Sequence, residues 1–455
     1  MGHQDRKTRL IYSAQKIAQH PHYSANVAFS GDSAGSKGWY KFIETKQNKV
    51  SFENILTGPN ESKYRRMMSQ ETVLLVQDDT KLNFTSKPQI EGMGSIGRNQ
   101  TNAKSKGLIL HSTLAVTPYG MPLGIFNATC FARPEKSDEE KGKTLPLEER
   151  ESYLWTQHAQ KIDDIGKYLP DTKLITVCDR GADIASFLYK CAEMKHCDVI
   201  VRAKSDRRIP GEILSLFEIM RSEKEAGTVV ITIPRRSERP KLSGKAKVTG
   251  REKRTATLSI RYSQVKISPP PEMKKEAPRE FFIVSAIELD PPKGEDAVIW
   301  HLLTTLTINS LDDAVLCVKY YTKRWSIEEF HRVLKTGCQV EYLAHKDITR
   351  IKRALAVYIV VACRLMLLLK LGREIPDLPA EVLFDDVEIE VLSTYFSSKK
   401  RPLTNLRNMI ILIAKLGGYL DRNNDPLPGY EVFWKGYEAL QYMCNYERKR
   451  RKKAA

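Results

Sequence analysis

Apolar and polar positions divide the chain into a central α/β region and two flanking regions of helical pattern. Residues 1–60 and the residues after Asp347 carry apolar side chains at steps of three and four, which predicts helices. Between these regions, short apolar runs alternate with longer amphipathic stretches. Such alternation predicts an α/β fold, in which helices cover a largely buried sheet.

Two of the short apolar runs end abruptly in an acid. Residues 73–76 lead into Asp78 and Asp79, and residues 173–177 lead into Asp179. Continuous apolar runs of this length are typical of strands buried on both faces. Open α/β sheets place their functional sites beyond the carboxyl ends of such strands, so we expect these acids to lie at one edge of the sheet.

The elements between residues 61 and 205 follow the order strand, strand, strand, helix, strand, helix, strand. The predicted strands cover 73–76, 108–117, 122–131, 173–177 and 198–203, and the predicted helices cover 153–168 and 182–195. This is the order of an RNase H-like core. Before the core closes, alternating runs at 228–233, 256–262 and 280–285 predict a β-rich insertion at about 206–295.

A strand at 298–304 and a single helix over 310–336 complete the predicted core. At 3.6 residues per turn, four polar side chains share one side of this helix. They are Tyr321, Arg324, Glu328 and Lys335. The simplest interpretation is a solvated face with ordinary salt bridges. The acids at the strand ends favour the alternative, in which Glu328 is the third acid of a functional site.

We expect three regions, because 455 residues exceed what one core usually contains. They are a helical N-terminal region at 1–60 that contacts DNA or only packs, a catalytic core with its insertion at 61–370, and a helical C-terminal region at 371–455. A stripe in the last region predicts packing against the rest of the chain or against a second protomer. It consists of Tyr437, Leu440, Tyr442, Met443 and Tyr446.

The excess of basic residues predicts a polyanionic partner. The chain has 73 Lys and Arg against 55 Asp and Glu, a net charge of +18. Eleven basic and two acidic residues lie between Ile231 and Lys266, and six of the last eight residues are basic. Nucleic acid is the natural partner of such a chain, and a membrane surface is the rival.

No segment of the sequence favours the membrane. The most apolar run, 354–369, is short and contains Arg364, which predicts a buried helix. The first residues contain no apolar signal core. The eight cysteines form no Cys-x-x-Cys pair, which favours reduced thiols in a cytoplasm and argues against a zinc site.

Three carboxylates that converge from two strand ends and one helix suit hard divalent cations. An aspartate of the pair Asp78 and Asp79, together with Asp179 and Glu328, would bind Mg²⁺ or Mn²⁺, as two ions in each active site. Two such ions about 4 Å apart activate the attacking oxygen and stabilise the leaving oxygen of a phosphoryl displacement. This chemistry hydrolyses phosphodiesters or transfers DNA strands.

Cations and aromatic rings near these acids suit a nucleic-acid substrate. Trp300 and Tyr321 offer ring faces to an unstacked base. The side chains predicted to bind phosphates are Arg202, Arg324, Arg332 and Lys335. Two alternatives stay open at this point. Trp300 is a candidate core tryptophan, and His331 either contacts DNA or is buried and hydrogen-bonded.

The spacing Tyr321-x₂-Arg324-x₃-Glu328-x₆-Lys335 is the Tyr-Arg-Glu-Lys signature of a known family. In this feature the chain resembles the insertion-sequence-four (IS-four) family of bacterial DDE transposases. The other matching segments are Arg324-Trp-x-Ile-Glu-Glu-Phe-His331, Lys335-Thr-Gly337, Val177-Cys-Asp-Arg-x-Ala-Asp-Ile184, Pro291-Pro-Lys-Gly-Glu295 and Leu416-Gly-Gly418. The resemblance extends over nearly the whole chain.

The resemblance implies that Asp78, Asp179 and Glu328 are the catalytic, metal-binding triad. The family pattern around its first acid is Asp-Thr-Thr-x-Leu. Placing Thr80 and Leu82 on the second threonine and the leucine of this pattern puts Asp78 on the acid. In the alternative interpretation, an aspartate of the pair Asp78 and Asp79 only caps a turn.

By the same resemblance, Tyr321, Arg324 and Lys335 bind the backbone of the transposon end. Trp300 stacks on a base that flips out when the cut strand folds into a hairpin, and Arg202 holds a nearby phosphate. Lys41 stands where the related pattern has an arginine, which keeps the charge but loses bidentate phosphate binding.

The resemblance therefore implies a cut-and-paste transposase, cytoplasmic and associated with the nucleoid. As a homodimer it would bind terminal inverted repeats, excise the element by nicking, hairpin formation and resolution, and join the 3′ ends to target DNA. The chain begins later than the family pattern and lacks its first helix. This difference keeps open a non-catalytic regulator that traps transposase in mixed dimers. A metal-dependent nuclease without strand transfer is a third hypothesis.

Overall fold

The computed structural model describes residues 4–46, 49–57, 60–98, 103–134, 145–235, 239–240, 247–248, 250–396 and 403–454. These residues form one ten-stranded mixed sheet with helices on both faces, and a separate two-stranded ribbon. Parts of the predicted loop at 134–151 and of the basic stretch between Ile231 and Lys266 lie outside the described residues.

The strands are β1 (Thr72–Asn83), β2 (Gly94–Arg98), β3 (Lys104–Val116), β4 (Pro122–Phe131), β5 (Lys173–Cys178), β6 (Cys197–Arg202), β7 (Gly227–Ile233), β8 (Arg239–Pro240), β9 (Lys247–Val248), β10 (Arg254–Ile267), β11 (Arg279–Glu288) and β12 (Ile299–Thr304).

The helices are α1 (Gln4–Gln19), α2 (Ala25–Ala28), α3 (Ser33–Glu44), α4 (Phe52–Leu56), α5 (Asn60–Met68), α6 (Tyr153–Gly166), α7 (Ala185–Cys191), α8 (Leu216–Ser222), α9 (Leu311–Thr322), α10 (Trp325–Arg332), α11 (Ile348–Glu374), α12 (Asp386–Phe396), α13 (Leu406–Leu416) and α14 (Tyr430–Ala454).

The first half of the sheet has the topology that the sequence predicts. β4 and β1 both pair antiparallel with β3, and β1 then pairs in parallel with β5, which pairs in parallel with β6. The apolar run of β1 is continuous because both of its faces are covered. Leu74 and Val76 pack in the core that includes α10 and α11, whereas Val73 and Leu75 pack in the core that includes α6. The predicted RNase H-like core is therefore confirmed.

The β-rich insertion extends this sheet. β12 pairs antiparallel with β6, and the order continues through β11 and β10 to β7 at the far edge. β12, which follows the insertion in the chain, thus covers the edge of β6, and the strands of the insertion extend the sheet beyond β12. Without β12, this edge would present unpaired backbone groups. As a result, the end of β7 and the start of β12 lie close to the ends of the core strands.

The predicted single helix over 310–336 is wrong in one respect. α9 ends at Thr322 and α10 begins at Trp325, because the amides of Lys323 and Arg324 bond to carbonyls three residues back. A π-helical turn, Val333–Gly337, then follows α10. Tight and wide turns inside a helix both change the direction of the side chains that follow. The sequence contains no Pro or Gly at the first break, and Gly337 at the end of the π-helical turn indicates only where the helix stops.

The predicted buried helix is α11. Among the described residues it is the one helix long and apolar enough to cross a membrane, and 67% of its most apolar window is buried. Arg353 on α11 is itself buried and donates hydrogen bonds to the carbonyls of Ile43, Thr45 and Val50. These bonds fix the chain after α3 to the central helix of the molecule.

The stripe predicted on α14 divides between two environments. Tyr437 and Leu440 are buried against the rest of the chain, as the first interpretation required. Tyr442 and Tyr446 are exposed, and Tyr395 of α12 is exposed beside them. The structure therefore leaves an aromatic surface on α12 and α14, consisting of Tyr395, Tyr442, Met443 and Tyr446.

Candidate active site

A cleft of about 620 Å³ opens between the ends of the core strands, the α9–α10 junction and the insertion. It brings together seven of the residues that the sequence singles out. They are Asp78, Asp179, Arg202, Trp300, Tyr321, Arg324 and Glu328. Residues from β1, β5, β6, β12, α9 and α10 thus meet in one place, although they are up to 250 positions apart in the chain.

The two adjacent aspartates of β1 lie on opposite faces of the sheet. Asp78 lines the cleft, and its Oδ2 atom is 3.8 Å from Nη1 of Arg324. Asp79 pairs across the ladder with His111, whose ring packs against Trp155 of α6. Because successive side chains of a strand alternate, only one of the two aspartates faces α10. That aspartate is Asp78.

Asp179 follows the last residue of β5 and begins a short turn. Its Oδ1 atom accepts a hydrogen bond of 2.7 Å from the amide of Gly181. This bond fixes the carboxylate at the carboxyl end of the strand, next to the end of the parallel strand β1. The position agrees with the general location of sites in open α/β sheets.

Glu328 lies on the first turn of α10 and is held by a neighbouring cation. Nη2 of Arg324 donates to its Oε1 atom at 2.5 Å. Arg324 therefore lies between Glu328 and Asp78 and interacts with both. The break between α9 and α10 places Arg324 at the head of the second helix, where its side chain reaches both acids.

Burial and the nearby charge of Asp179 raise the pKa of Asp78 to about 7, although Arg324 acts in the opposite direction. Carboxylates that share a partly buried cleft favour a proton or a cation over a second negative charge. The donors are all hard oxygens, which suits Mg²⁺ or Mn²⁺ better than a soft metal. The composition and electrostatics of the cleft thus fit a divalent cation.

The three carboxylates are not gathered around one point. Within the described residues, no three His, Cys, Asp or Glu side chains are close enough to bind a single ion together. Glu328 and Asp78 instead interact with the guanidinium of Arg324.

Aromatic rings and a second arginine form the wall of the cleft next to the insertion. The rings of Trp300 and Tyr321 meet edge to face, with centroids 5.0 Å apart. Trp300 is partly buried and lines the cleft, so it is not enclosed in the core. Nη2 of Arg202 donates to the carbonyl of Ile299, at 2.8 Å, and burial lowers the pKa of Arg202.

Lys335 lies outside this cleft, at the outer end of β1. Its Nζ atom donates to the carbonyl of Lys81 at 3.0 Å and is 3.5 Å from Oε1 of Glu341. The same oxygen of Glu341 accepts a hydrogen bond from the amide of Asn83. Lys335 lies within the π-helical turn. This turn accounts for the difference from a regular helix, in which Lys335 would continue the row of Arg324 and Glu328.

Three other predicted DNA contacts do not line the cleft. His331 is buried, and its Nε2 atom has no hydrogen-bond partner among the described residues. Burial lowers its pKa to about 3, so the buried alternative describes it better than contact with DNA. Arg332 lies over the ring of Tyr430, on the side of α10 that faces α14. Lys41 is exposed on α3, in the N-terminal region.

The structure adds charged residues that the sequence did not single out as site residues. Arg180, Arg251 and Asp296 all line the cleft. Arg180 directly follows Asp179 in the segment Val177–Ile184, so its position next to an acid of the site could have been used to predict it. Arg251 comes from the insertion and Asp296 from the segment that leads into β12, and the strand order from β6 through β12 to β7 brings both to this cleft.

Two family models match the chain. The model described as "Transposase DDE domain" matches residues 156–364, which include Asp179 and Glu328. The model described as "Transposase Tn5 dimerisation domain" matches residues 360–454. The fold, the acidic cleft and the first match define a metal-dependent enzyme that acts on DNA, a DDE transposase. With both matches, the chain belongs to the DDE transposases related to Tn5 and the IS-four family.

Proposed function

We propose that this DDE transposase moves its element by a cut-and-paste route. It binds the terminal inverted repeats, nicks the DNA, releases the element through a hairpin that it then resolves, and joins the 3′ ends to target DNA. One observation carries this proposal. A single cleft contains four acids, four arginines and three aromatic side chains, residue types that suit metal, phosphate and base respectively.

Asp78, Asp179 and Glu328 are the catalytic residues of this proposal, and they would hold Mg²⁺ or Mn²⁺ as a pair of ions. Bound there, such ions activate the attacking oxygen and stabilise the leaving one. The chain's own contribution is to fix Asp179 at a strand end and to keep Asp78 partly buried beside it. Partial burial strengthens every charge interaction in the cleft relative to water.

The cations would position the DNA around these acids. Arg324 and Arg202 lie in the cleft and would bind phosphates of the transposon end, with the hydroxyl of Tyr321 between them. Lys335 would bind the backbone farther out, at the end of β1. Lys41, exposed on α3, would contact DNA from the N-terminal region.

Trp300 would stack on a base that leaves the helix when the hairpin forms. A hairpin joins two strands across a short gap, and the terminal bases cannot all remain stacked. An exposed ring face beside the acids can stabilise the displaced base by about 1–3 kcal/mol. Tyr321 supports the edge of the indole from below and so limits its rotation.

A second copy of the chain is the proposed partner of the aromatic surface on α12 and α14. The surface lies within the match to the dimerisation domain. Tyr446 is 72% exposed and lies beside two other exposed tyrosines. Exposed aromatic residues that are scattered singly over a surface need no partner, but a group of them indicates an interaction site. Tyr446→Glu should convert dimers into monomers in light scattering. Tyr168→Glu, which changes an equally exposed tyrosine in the turn after α6, should leave the dimers intact.

We also propose that residues 1–60, 61–370 and 371–455 serve DNA binding, catalysis and dimerisation respectively. In this arrangement the transposase acts in the cytoplasm, on the nucleoid. The β-rich insertion at about 206–295 belongs to the catalytic region, because its strands continue the central sheet.

The direct experiment is incubation of the protein with Mg²⁺ and DNA carrying the ends of its own element. Hairpins and joined products are expected. Nicks without hairpins would indicate a nuclease, and a shifted but uncut complex would indicate a regulator of transposition. Asp179→Asn is the matched control, because it keeps the hydrogen bond to Gly181 possible and removes the charge.

A further inference from the structure

The guanidinium of Arg324 occupies a position where it competes with the proposed metal. It donates to Glu328 at 2.5 Å and lies 3.8 Å from Asp78. The side chains of Arg324 and Asp78 are 17% and 16% exposed, so water screens this interaction only in part. Two of the three catalytic acids therefore share one protein cation.

An arginine cannot leave such a site by losing its proton, because its pKa lies above 12. It can only exchange one anionic partner for another. The planar guanidinium binds phosphate with two parallel hydrogen bonds, at least as well as it binds carboxylate. The exposed side of the cleft is where DNA phosphates would arrive, so an exchange partner is available to Arg324 there.

The position of Arg324 makes the exchange local. The amides of Lys323 and Arg324 bond three residues back, so this residue lies at a tightened joint between two helices and not within a regular helix. Short stretches of this kind often mark hinges. A change of partner by the side chain requires no rearrangement of the sheet that holds Asp78 and Asp179.

We propose that Arg324 is a latch that couples DNA binding to assembly of the metal site. Without DNA it holds Glu328 and neutralises Asp78. When phosphates of the transposon end bind the guanidinium, both carboxylates lose their protein cation and become free to bind divalent metal beside Asp179. The latch rests on the proposed function of the three acids, and it makes Arg324 a positioning residue as well as a DNA contact.

The coupling has a measurable consequence in the protein alone. If Arg324 competes with metal, removing its charge should raise the affinity for Mn²⁺ in the absence of DNA. Couplings between sites usually change affinity by about 5- to 150-fold. Lys370 offers a matched control, because it forms an ion pair of 3.2 Å with Glu329 on the other side of α10.

The experiment is a Mn²⁺ titration of the full-length protein, followed by electron paramagnetic resonance. Arg324→Gln and Arg324→Met should both bind Mn²⁺ at least about fivefold more tightly than the parent chain. Arg324→Lys, which retains a cation, should stay near the parent value, and so should Lys370→Gln. Using two neutral variants guards against misfolding of one, and thermal melting of each shows that it is folded.

Adding Asp179→Asn distinguishes failure of the latch from failure of the proposed site. If the added change abolishes Mn²⁺ binding, and the neutral Arg324 variants bind no more tightly than the parent, the latch is overturned and the acidic site stands. If Asp179→Asn leaves Mn²⁺ affinity unchanged in the parent chain and in all Arg324 variants, the ion does not bind at these acids. That result overturns the proposed site and the latch with it.

Discussion

The two sides of α10 have similar side chains but very different surroundings. On the side of the cleft, Glu328 pairs with Arg324 in a space shared with Asp78 and Asp179. On the opposite side, Glu329 pairs with Lys370 at 3.2 Å and accepts a hydrogen bond from the hydroxyl of Tyr430. Each of the two carboxylates forms an ion pair, but only Glu328 shares its cleft with other catalytic candidates, Asp78 and Asp179.

This difference shows where the function of the helix originates. The ion pair of Glu329 joins α10 to Lys370 of α11 and lies beside Tyr430 of α14, so it contributes to the packing of the C-terminal region. The pair of Glu328 opens onto the ends of two strands, where other carboxylates oppose its charge. Convergence on the sheet, and not the local sequence of the helix, brings one of two adjacent glutamates to the cleft that contains the other acids.

Exchanging the two adjacent glutamates for glutamine should give the largest contrast. Glu328→Gln should reduce cleavage of element ends by about a thousandfold or more, because an ion held by the carboxylates is worth several kcal/mol in the transition state. Glu329→Gln should cleave within a few fold of the parent and lose about 1–3 kcal/mol of stability.

Single-turnover cleavage and chemical denaturation measure these two effects. Equal loss of cleavage in both glutamine variants would show that the two sides of α10 do not differ as described.

Replacing Trp300 should impair one reaction step and spare another. Trp300→Ala removes a stacking surface worth about 1–3 kcal/mol, so hairpin formation should slow by about 5- to 150-fold. The first nick should proceed at nearly the parent rate. Trp300→Phe keeps a ring and should retain most of the hairpin rate.

Denaturing gels of a time course separate nicked and hairpin products. A variant that loses the nick and the hairpin together would place Trp300 in the core and not at the DNA.

The salt dependence of DNA binding provides a second test of the two sides of α10, with variants of Lys335 and Arg332. Lys335→Ala should lower the slope of log affinity against log salt by about 0.9, the value for one phosphate contact with duplex DNA. Arg332→Ala should leave the slope unchanged, since this side chain lies over Tyr430 and faces α14. Fluorescence anisotropy at several salt concentrations provides both slopes. Identical slopes for the two variants would contradict the placement of Lys335.

Asp78 also carries an expectation for the pH dependence of folding. Burial and Asp179 raise the folded-state pKa of Asp78 from 3.8 to about 7, so the native state binds a proton more tightly than the unfolded chain does. That contribution to stability is complete below about pH 3.8 and is lost as the pH rises to about 7. Its slope is at most about 1.4 kcal/mol per pH unit, as for one proton.

Asp78→Asn should remove this contribution. In chelator, the stability difference between parent and variant should change across that pH range and stay constant above it. Denaturant melts at several pH values measure the difference, and a constant difference throughout would exclude a buried, charge-coupled Asp78.

Local patterns were sufficient to predict much of this molecule. Asp78 and Asp179 follow apolar runs, and the spacing of Tyr321, Arg324 and Glu328 is visible without any knowledge of tertiary structure. The RNase H-like order of elements is equally local. These features could be predicted because each depends on residues within one or two elements.

Other features depend on long-range pairing or on backbone detail and could not be predicted in the same way. Arg251 and Asp296 reach the cleft because of the strand order from β6 through β12 to β7. The directions of Arg332 and Lys335 depend on a tightened joint without Pro or Gly and on a π-helical turn of which the sequence indicates only the end, at Gly337. The burial of His331 depends on the packing of α10 against the core. Its neighbours in the sequence are charged, so the local pattern does not indicate that burial.

The most direct test of the central claim is anomalous diffraction from Mn²⁺ in crystals of the protein bound to the end of its element. We expect Mn²⁺ within coordination distance of the carboxylates of Asp78, Asp179 and Glu328, with Arg324 turned to a DNA phosphate. A complex that cuts DNA in Mn²⁺ while its ions bind to other residues would contradict the account.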